Sequence, residues 1–378
     1  MSKILFSGRG WKLQIDPFAA PAVAELLGNT IWGTKGGIRY SHTDGLDKVN
    51  KLADTTYLTL WRESEIRACV GFVRKELQSS ELEILPAYYI RYLAVAAQWQ
   101  AQTTSGSQQG KNKARQGGNR LFRKKFAELY EDADYWRDQV NLAQPVCFYA
   151  YVVMDNDRSA NLVLSNGFEV LRSFRTMVFS RFRPKRSPKV RKIKSHEIPE
   201  IEAKLKSFYQ EYSYSAADLR IQHDYYVWEE EGEIIAGVQA QTIKWTIEEI
   251  PGLAGKIAMN VLPKVGFLRR ILNPEDFRFA GLDALFYQPG AASLLPLLYE
   301  HILADLGLHI SMIWFDDQTH LYDDFVTLPA KQKGLLSQIV QGAGAAHFLA
   351  RSDEAVLDRG LAERLKSRPH YIPVGDLS

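Results

Sequence analysis

Hydrophobic spacing changes period several times along this chain, and each change marks an element. Residues 57–61 (YLTLW) mix aromatic, leucine and threonine side chains in the manner of a strand. A polar turn through Glu63, Ser64 and Glu65 leads into a second such run at 66–73, so an antiparallel hairpin is expected there. A third strand is expected at 88–97 (YYIRYLAVAA). Residues 120–130 then carry apolar side chains at Leu121, Phe122, Phe126 and Leu129, the spacing of an amphipathic helix. The apolar run 146–154 (VCFYAYVVM) has the length of a buried strand. Residues 157–165 are helical in pattern and stop at Asn166-Gly167, a helix C-terminal signal. One or two strands follow over 168–182, and a short helix is expected at 21–28.

Strand pair, strand, helix, strand, helix, strand is a mixed α/β order. It returns at low similarity further on. Strands at 225–228 and 234–245 flank the charged turn EEEGE, and a strand at 282–287, a helix at 291–306 and a strand at 309–315 follow. The expected architecture is therefore a duplicated α/β fold of the α+β mixed-sheet kind, with domains at 1–182 and 196–378. Between them the segment RFRPKRSPKVRKIK has two prolines among lysines and arginines and no face to bury, so 183–195 is expected to be an exposed basic linker. Residues 100–118 are polar and glycine-rich, the composition of a long loop inside the first domain.

Composition adds two points. The chain is 46% apolar and 24% charged, as in globular proteins, and its net charge of +3 hides a strong asymmetry. Residues 1–194 sum to +13 and the remainder to −10. A basic first unit suits a phosphate-rich ligand. The basic linker has no neighbouring aromatic platform, so nucleic acid is not the expected partner. Cys69 and Cys147 lie in apolar strand-like runs and are expected to be buried, reduced thiols. No run of 18 apolar residues and no secretory leader is present, so a cytoplasmic protein without a membrane segment is expected.

The most specific segment is NDRSANLVLSNGF, directly after the apolar strand at 146–154. It places Asn156, Ser159, Leu162, Val163, Gly167 and Phe168 in the order polar helix start, small residue, apolar pair, then Gly-Phe. Upstream, ARQGGNRLFRKK opens the helix at 120–130 with a glycine pair surrounded by cations. Glycines let a backbone approach a pyrophosphate, and the N–H groups and dipole of a helix start stabilise its charge.

Together these segments resemble the GNAT N-acetyltransferase superfamily, in a tandem arrangement with a degenerate second domain. The resemblance runs from residue 57 to 182. It implies two GNAT-like domains, each a mixed, mostly antiparallel twisted sheet flanked by helices. It also implies acetyl-CoA, or another acyl-CoA, as co-substrate, and direct acyl transfer to the primary amine of a small molecule or peptide. By the resemblance, Leu93, Ala94 and Val95 hold the pantetheine arm. Arg115, Gly117, Gly118, Asn119 and Arg120 form the pyrophosphate cradle, and Asn156 and Ser159 complete the cofactor site. The family often has a tyrosine, acting as acid toward the leaving thiolate, where this chain has Val163. Valine donates no proton, so Tyr149 and Tyr151 are the candidate catalytic residues. No carboxylate lies within 88–97, and Glu81 and Glu83 are the sequence-nearest bases. A homodimer is compatible with the family.

In the second half the corresponding loop, YQPGAASLLP, has one glycine and no cation, so no CoA site is expected there. His301, His309 and His320 stand near acidic residues, but His309 opens a strand and FDDQTHLYDDF reads as an acidic helix edge, so no metal site is expected. Two other readings stay open: a non-catalytic acyl-CoA sensor, which Val163 motivates, and aminoacyl transfer from tRNA, which the basic first half leaves room for.

Overall fold

The computed structural model describes residues 2–34, 36–42, 55–78, 84–101, 122–130, 147–266, 269–339, 344–352 and 360–377. Its strands are β1 Lys3–Gly8, β2 Trp11–Asp16, β3 Arg39–His42, β4 Thr55–Arg62, β5 Glu65–Gln78, β6 Ile84–Val95, β7 Cys147–Val153 and β8 Glu169–Ser180. The second half adds β9 Val190–Lys192, β10 Tyr214–Ser215, β11 Asp224–Glu230, β12 Glu233–Glu249, β13 Phe277–Tyr287, β14 Ile310–Asp316 and β15 Ala346–Ser352. Among the helices, α1 is Pro21–Gly28, α2 spans 122–130, α3 is Asp157–Leu164, α4 Leu295–Leu306, α5 His320–Thr327 and α6 Val374–Leu377.

All these strands belong to one mixed sheet, in the order β1-β2-β4-β5-β6-β7-β15-β8-β14-β13-β12-β11-β9, with β10 on β5 and β3 on β12. The duplication is visible in the connections. Hairpin β4–β5, strand β6, helix α2, strand β7, helix α3 and strand β8 are matched by β11–β12, β13, α4, β14, α5 and β15. Each half contains one parallel pair, β6 with β7 and β13 with β14.

The last strands are exchanged between the halves. β15 pairs with β7, Ala346 opposite Val153 through Ser352 opposite Cys147, and separates β7 from β8. β8 in turn pairs with β14, Ile310 opposite Ser180. A shared core follows, in which Tyr89 and Tyr149 of the first half pack in one cluster with Phe279, Trp314 and Phe348 of the second. The boundary expected between 182 and 196 is thus a boundary in sequence order and not a gap in the sheet.

The segment 183–195, expected as an exposed connector, is largely exposed and also docks on the second half as a strap. Val190–Lys192 forms β9 on the edge strand β11. Its cations meet the acidic half: Arg186 with Asp305 at 2.8 Å, Lys189 with Glu230 at 2.6 Å, Arg191 with Glu197 at 2.7 Å, and Lys192 with Asp224 at 2.7 Å. The Arg191 guanidinium holds the Glu197 carboxyl down at about 2. The pattern of prolines and cations was a correct sign of surface position, but the matching acids lie far along the chain and give no local signal.

Other departures are of length. β5 runs on to Gln78 and β6 begins at Ile84, four residues before the expected start, while 168–182 is a single strand. β1, β2 and β15 were not expected from the pattern. Both cysteines are buried and free, with burial pushing each thiol up to about 12. Among the described residues, no helix is long and apolar enough to cross a membrane.

Candidate functional site

β6 and β7 run parallel and paired from Ala87 opposite Cys147 to Ile90 opposite Ala150. Their ladder then stops. Against β5, β6 carries a bulge where its register shifts between Cys69 and Gly71, and Tyr92 takes φ +57. A bulge inserts an unpaired residue and bends its strand. β6 and β7 therefore part, and the gap opens into a cleft of about 1030 Å³, measured out to its open mouth.

Strand alternation gives the cleft two different walls. Even positions, Ile90, Ala150 and Val152, face the side covered by α2 and α3, where Phe126, Leu162 and Val163 complete an apolar wall. Asn156 and Ser159 close that end. Asn156 caps α3: its Oδ1 accepts the Ser159 N–H at 3.1 Å, satisfying one of the free donors of the first turn. Odd positions Tyr89, Arg91 and Tyr151 face the opposite side of the sheet. There Trp32, Tyr40 and His42 from the N-terminal region and Asp376 from α6 form an aromatic and charged wall. Tyr40 stacks on Trp245 at 4.1 Å, and the Arg91 guanidinium lies 4.2 Å from the Tyr92 ring centre.

A four-charge cluster sits at the base of this second wall. Asp376 is 3.5 Å from Arg91 and 3.7 Å from Lys75, and Lys75 is 2.5 Å from Asp218. Burial pushes Asp218 up to about 6, against the pull of Lys75. The C-terminal turn is tied here by its backbone as well. Tyr89 donates its hydroxyl to the Asp376 carbonyl at 2.7 Å, and Arg91 donates to the Gly375 carbonyl at 3.2 Å. Two polar atoms remain buried without a hydrogen-bond partner, Arg91 Nε and Asp376 Oδ2. Such atoms are costly to leave unpaired and call for an explanation.

The residues expected from sequence are placed as follows. Leu93, Asn156 and Ser159 line the cleft, as does Val163. Ala94 and Val95 continue β6 opposite Cys69 and Ala68 and are not among the lining residues. Arg115, Gly117, Gly118, Asn119 and Arg120 lie outside the described residues, as do Glu81 and Glu83. Tyr151 reaches the cleft, and its hydroxyl is 2.7 Å from His370 Nε2. Burial, with the nearby Arg172 and Lys75 charges, lowers His370 to about 3, so its ring is neutral. Tyr149 shares the face of Tyr151 but sits where β6 and β7 are still paired, opposite Tyr89, so its ring is stacked on Tyr89 at 5.2 Å and edge-on to Phe348 and is not among the lining residues.

Arg91 and Asp376 were missed. Arg91 had a signal, as a cation inside the apolar run YYIRYLAV. Asp376 had none, because its partner lies 285 positions away in a segment without periodicity.

The second half has the same gap, filled by the chain itself. β13 and β14 pair at Ala280–Ser311 and Gly281–Met312, and beyond them β13 has its own bulge, with Ala284 at φ +47. Tyr371 enters this gap, accepting the Ala284 N–H at 3.0 Å and donating its hydroxyl to Asp283. Burial pushes Asp283 up to about 7. These three histidines have separate partners: His301 and His309 bond the 181–187 backbone, and His320 lies against Phe208. Among the described residues no three His, Cys, Asp or Glu side chains are grouped to hold a metal.

No protein-family model matches this sequence, and no curated protein matches it. Solved structures do match its fold. Saccharomyces cerevisiae N-myristoyltransferase with bound myristoyl-CoA aligns over 97% of this chain and 90% of its own, at TM-score 0.54 and 12% identity. The same yeast enzyme with myristoyl-CoA and inhibitors aligns over 97% and 87%, at TM-score 0.53 and 12% identity. A GCN5-related N-acetyltransferase from Anabaena variabilis aligns over 90% and 72%, at TM-score 0.44 and 9% identity. The chain has the GNAT-type fold, a mixed sheet flanked by helices.

Proposed function

We propose that this chain is an acyl-CoA-dependent N-acyltransferase, with acetyl as the first acyl group to be tested and a primary amine as acceptor. The observation that carries this reading is the gap between β6 and β7, which opens on both faces of the sheet with chemically different walls. An acyl-CoA laid along the apolar wall brings its thioester to the gap, and an amine approaches from the aromatic and charged wall.

Each role follows from position. The bulged backbone at Tyr92 and Leu93 is released from regular pairing and is the candidate support for pantetheine and for the oxyanion that forms on attack. Asn156 and Ser159 mark the helix start beside the cofactor, and the glycine-cation loop with Arg115, Gly117, Gly118, Asn119 and Arg120 is the candidate pyrophosphate cradle. Holding both reactants in one gap turns a bimolecular step into an effectively unimolecular one. Asp376 is the one carboxylate among the described lining residues and the candidate group for receiving and orienting the amine. Tyr151 is the candidate proton source for the departing thiolate. In the tautomer that carries hydrogen on Nε2, His370 donates to the Tyr151 oxygen and leaves the phenolic hydrogen to the cleft.

Calorimetric titration with CoA, acetyl-CoA and myristoyl-CoA tests the reading. Micromolar binding of at least one thioester, followed by thiol release when amines are added, is the expected result. No heat from any of the three would sink it. The sensor reading rests on Val163 and on the tying of Tyr151 to His370, and it predicts tight binding with no thiol release across an amine panel.

A further inference from the structure

We infer that the amine acceptor is a free α-amino acid with an aromatic side chain, held as a zwitterion between Arg91 and Asp376. The inference rests on the acyl-transfer reading and goes further by naming the acceptor. Arg91 is anchored by Asp376 through one terminal nitrogen and by the Gly375 carbonyl through the other, which leaves its Nε–H undirected. Its side chain is only 8% exposed and lines the cleft. Asp376 Oδ2 is likewise buried and receives no hydrogen bond, its nearest cation being Lys75 at the ion-pair distance of 3.7 Å. A buried donor and a buried acceptor thus stand side by side on the acceptor wall, and an α-amino acid presents the complementary pair, a carboxylate and an ammonium group on one carbon.

Charge balance narrows the choice. Lys75 and Arg91 face Asp218 and Asp376, so the cluster is formally neutral. A simple amine would add an uncompensated cation and a simple acid an uncompensated anion in a low-dielectric site, whereas a zwitterion adds neither. The rest of the wall is aromatic, with Trp32 packed on Tyr92 and Tyr40 on His42 along the cleft lining, a surface chemically matched to an aromatic side chain. The reaction balances without another reagent. The ammonium group first releases one proton, and the free amine attacks the thioester carbonyl carbon. The C–N bond forms, the C–S bond breaks, the nitrogen gives up a second proton, and the CoA thiolate takes up one. The products are an N-acyl amino acid and CoA.

The test uses the full chain saturated with CoA, titrated with L-phenylalanine, phenethylamine and 3-phenylpropionate. Phenylalanine is expected to bind at least tenfold more tightly than either singly charged analogue. Arg91→Lys keeps the charge but not the Nε–H. It is expected to weaken phenylalanine and phenylpropionate at least tenfold more than it weakens phenethylamine. Phenethylamine binding as tightly as phenylalanine overturns the inference, as does equal weakening of all three ligands in Arg91→Lys. Because the panel is also run on the unaltered protein, a folding defect in the variant does not decide the matter. If CoA thioesters bind and phenylalanine does not, this inference fails while the acyl-transfer reading stands. If no thioester binds, both fall.

Discussion

The hydroxyl of Tyr371 occupies the bulge of β13, accepting the Ala284 N–H at 3.0 Å in a gap that matches the open one beside Tyr92. The chain thus serves as its own ligand in one half and keeps the other half open. It also fixes the approach of α6, because Asp283 accepts the Val374 N–H at 3.3 Å, just before the segment reaches the cleft.

Removing that hydroxyl takes one hydrogen bond from the buried Ala284 N–H and one from the buried Asp283 carboxyl, which keep their bond to each other and the Val374 N–H. Tyr371→Phe is expected to lose about 1–3 kcal/mol of stability. Urea melts check this, with a lower midpoint and an unchanged slope as the expected pattern.

Asp283 gives a pH dependence of definite sign. Its folded-state value near 7 lies above its unfolded value, so the folded protein holds the proton more firmly. Its contribution is fully present below the unfolded value and is lost as pH rises toward 7, with a slope approaching about 1.4 kcal/mol per pH unit. Stability of the native sequence minus that of Asp283→Asn should therefore fall between pH 4 and pH 7 on an order-of-magnitude scale. A flat difference in matched melts would count against it.

Gly281 is packed where no side chain fits. A Cβ there would lie 2.5 Å from Ile243 Cδ1 and 2.7 Å from Val374 Cγ2. Gly281→Ala is expected to cost about 1–3 kcal/mol through overpacking. Since Val374 leads into α6, amide exchange over 370–377 should quicken in this variant more than exchange in β1 and β2.

The Asn156 cap has a local and a functional readout. Asn156→Ala should cost about 1 kcal/mol, whereas Asn156→Asp should keep most of it, since aspartate caps equally well. If CoA binding also runs through this helix start, Asn156→Asp should weaken CoA more than it weakens the fold, because it sets an anion near the phosphates.

Arg186, Lys189, Arg191 and Lys192 of the strap at 183–195 are paired to acids on the same chain. Retention of tRNA on the protein is expected to vanish between 50 and 200 mM salt, roughly as for nonspecific charge contacts. Retention through that range would revive the aminoacyl-transfer reading.

Much of the fold was legible because local pattern and final structure agree. The 57–73 hairpin, the strands around 90 and 150, and the helix at 157–164 have clear periods, turns and a cap. The duplication was legible for the same reason, since its second copy repeats the order of periods. What the pattern lacked was partnership. AHFLARS is a plausible short strand by itself, but nothing local tells that it inserts between β7 and β8. Tyr149 and Tyr151 share one strand and one composition, and only the bulge on β6 decides which reaches the cleft. The aromatic and charged wall is assembled from residues near 32–42, 89–92 and 376, so its chemistry appears only once these distant segments are brought together.

The exchange of β8 and β15 has a consequence for synthesis. A nascent chain that has emerged only through its first repeat has an edge at β7 that its own next strand does not cover, because β8 belongs beside β14. That edge waits for Ala346–Ser352, and the cleft waits longer still for Asp376. The site can therefore assemble only after residue 376 has emerged, and until then the unpaired β7 edge is the place where a holding chaperone would act.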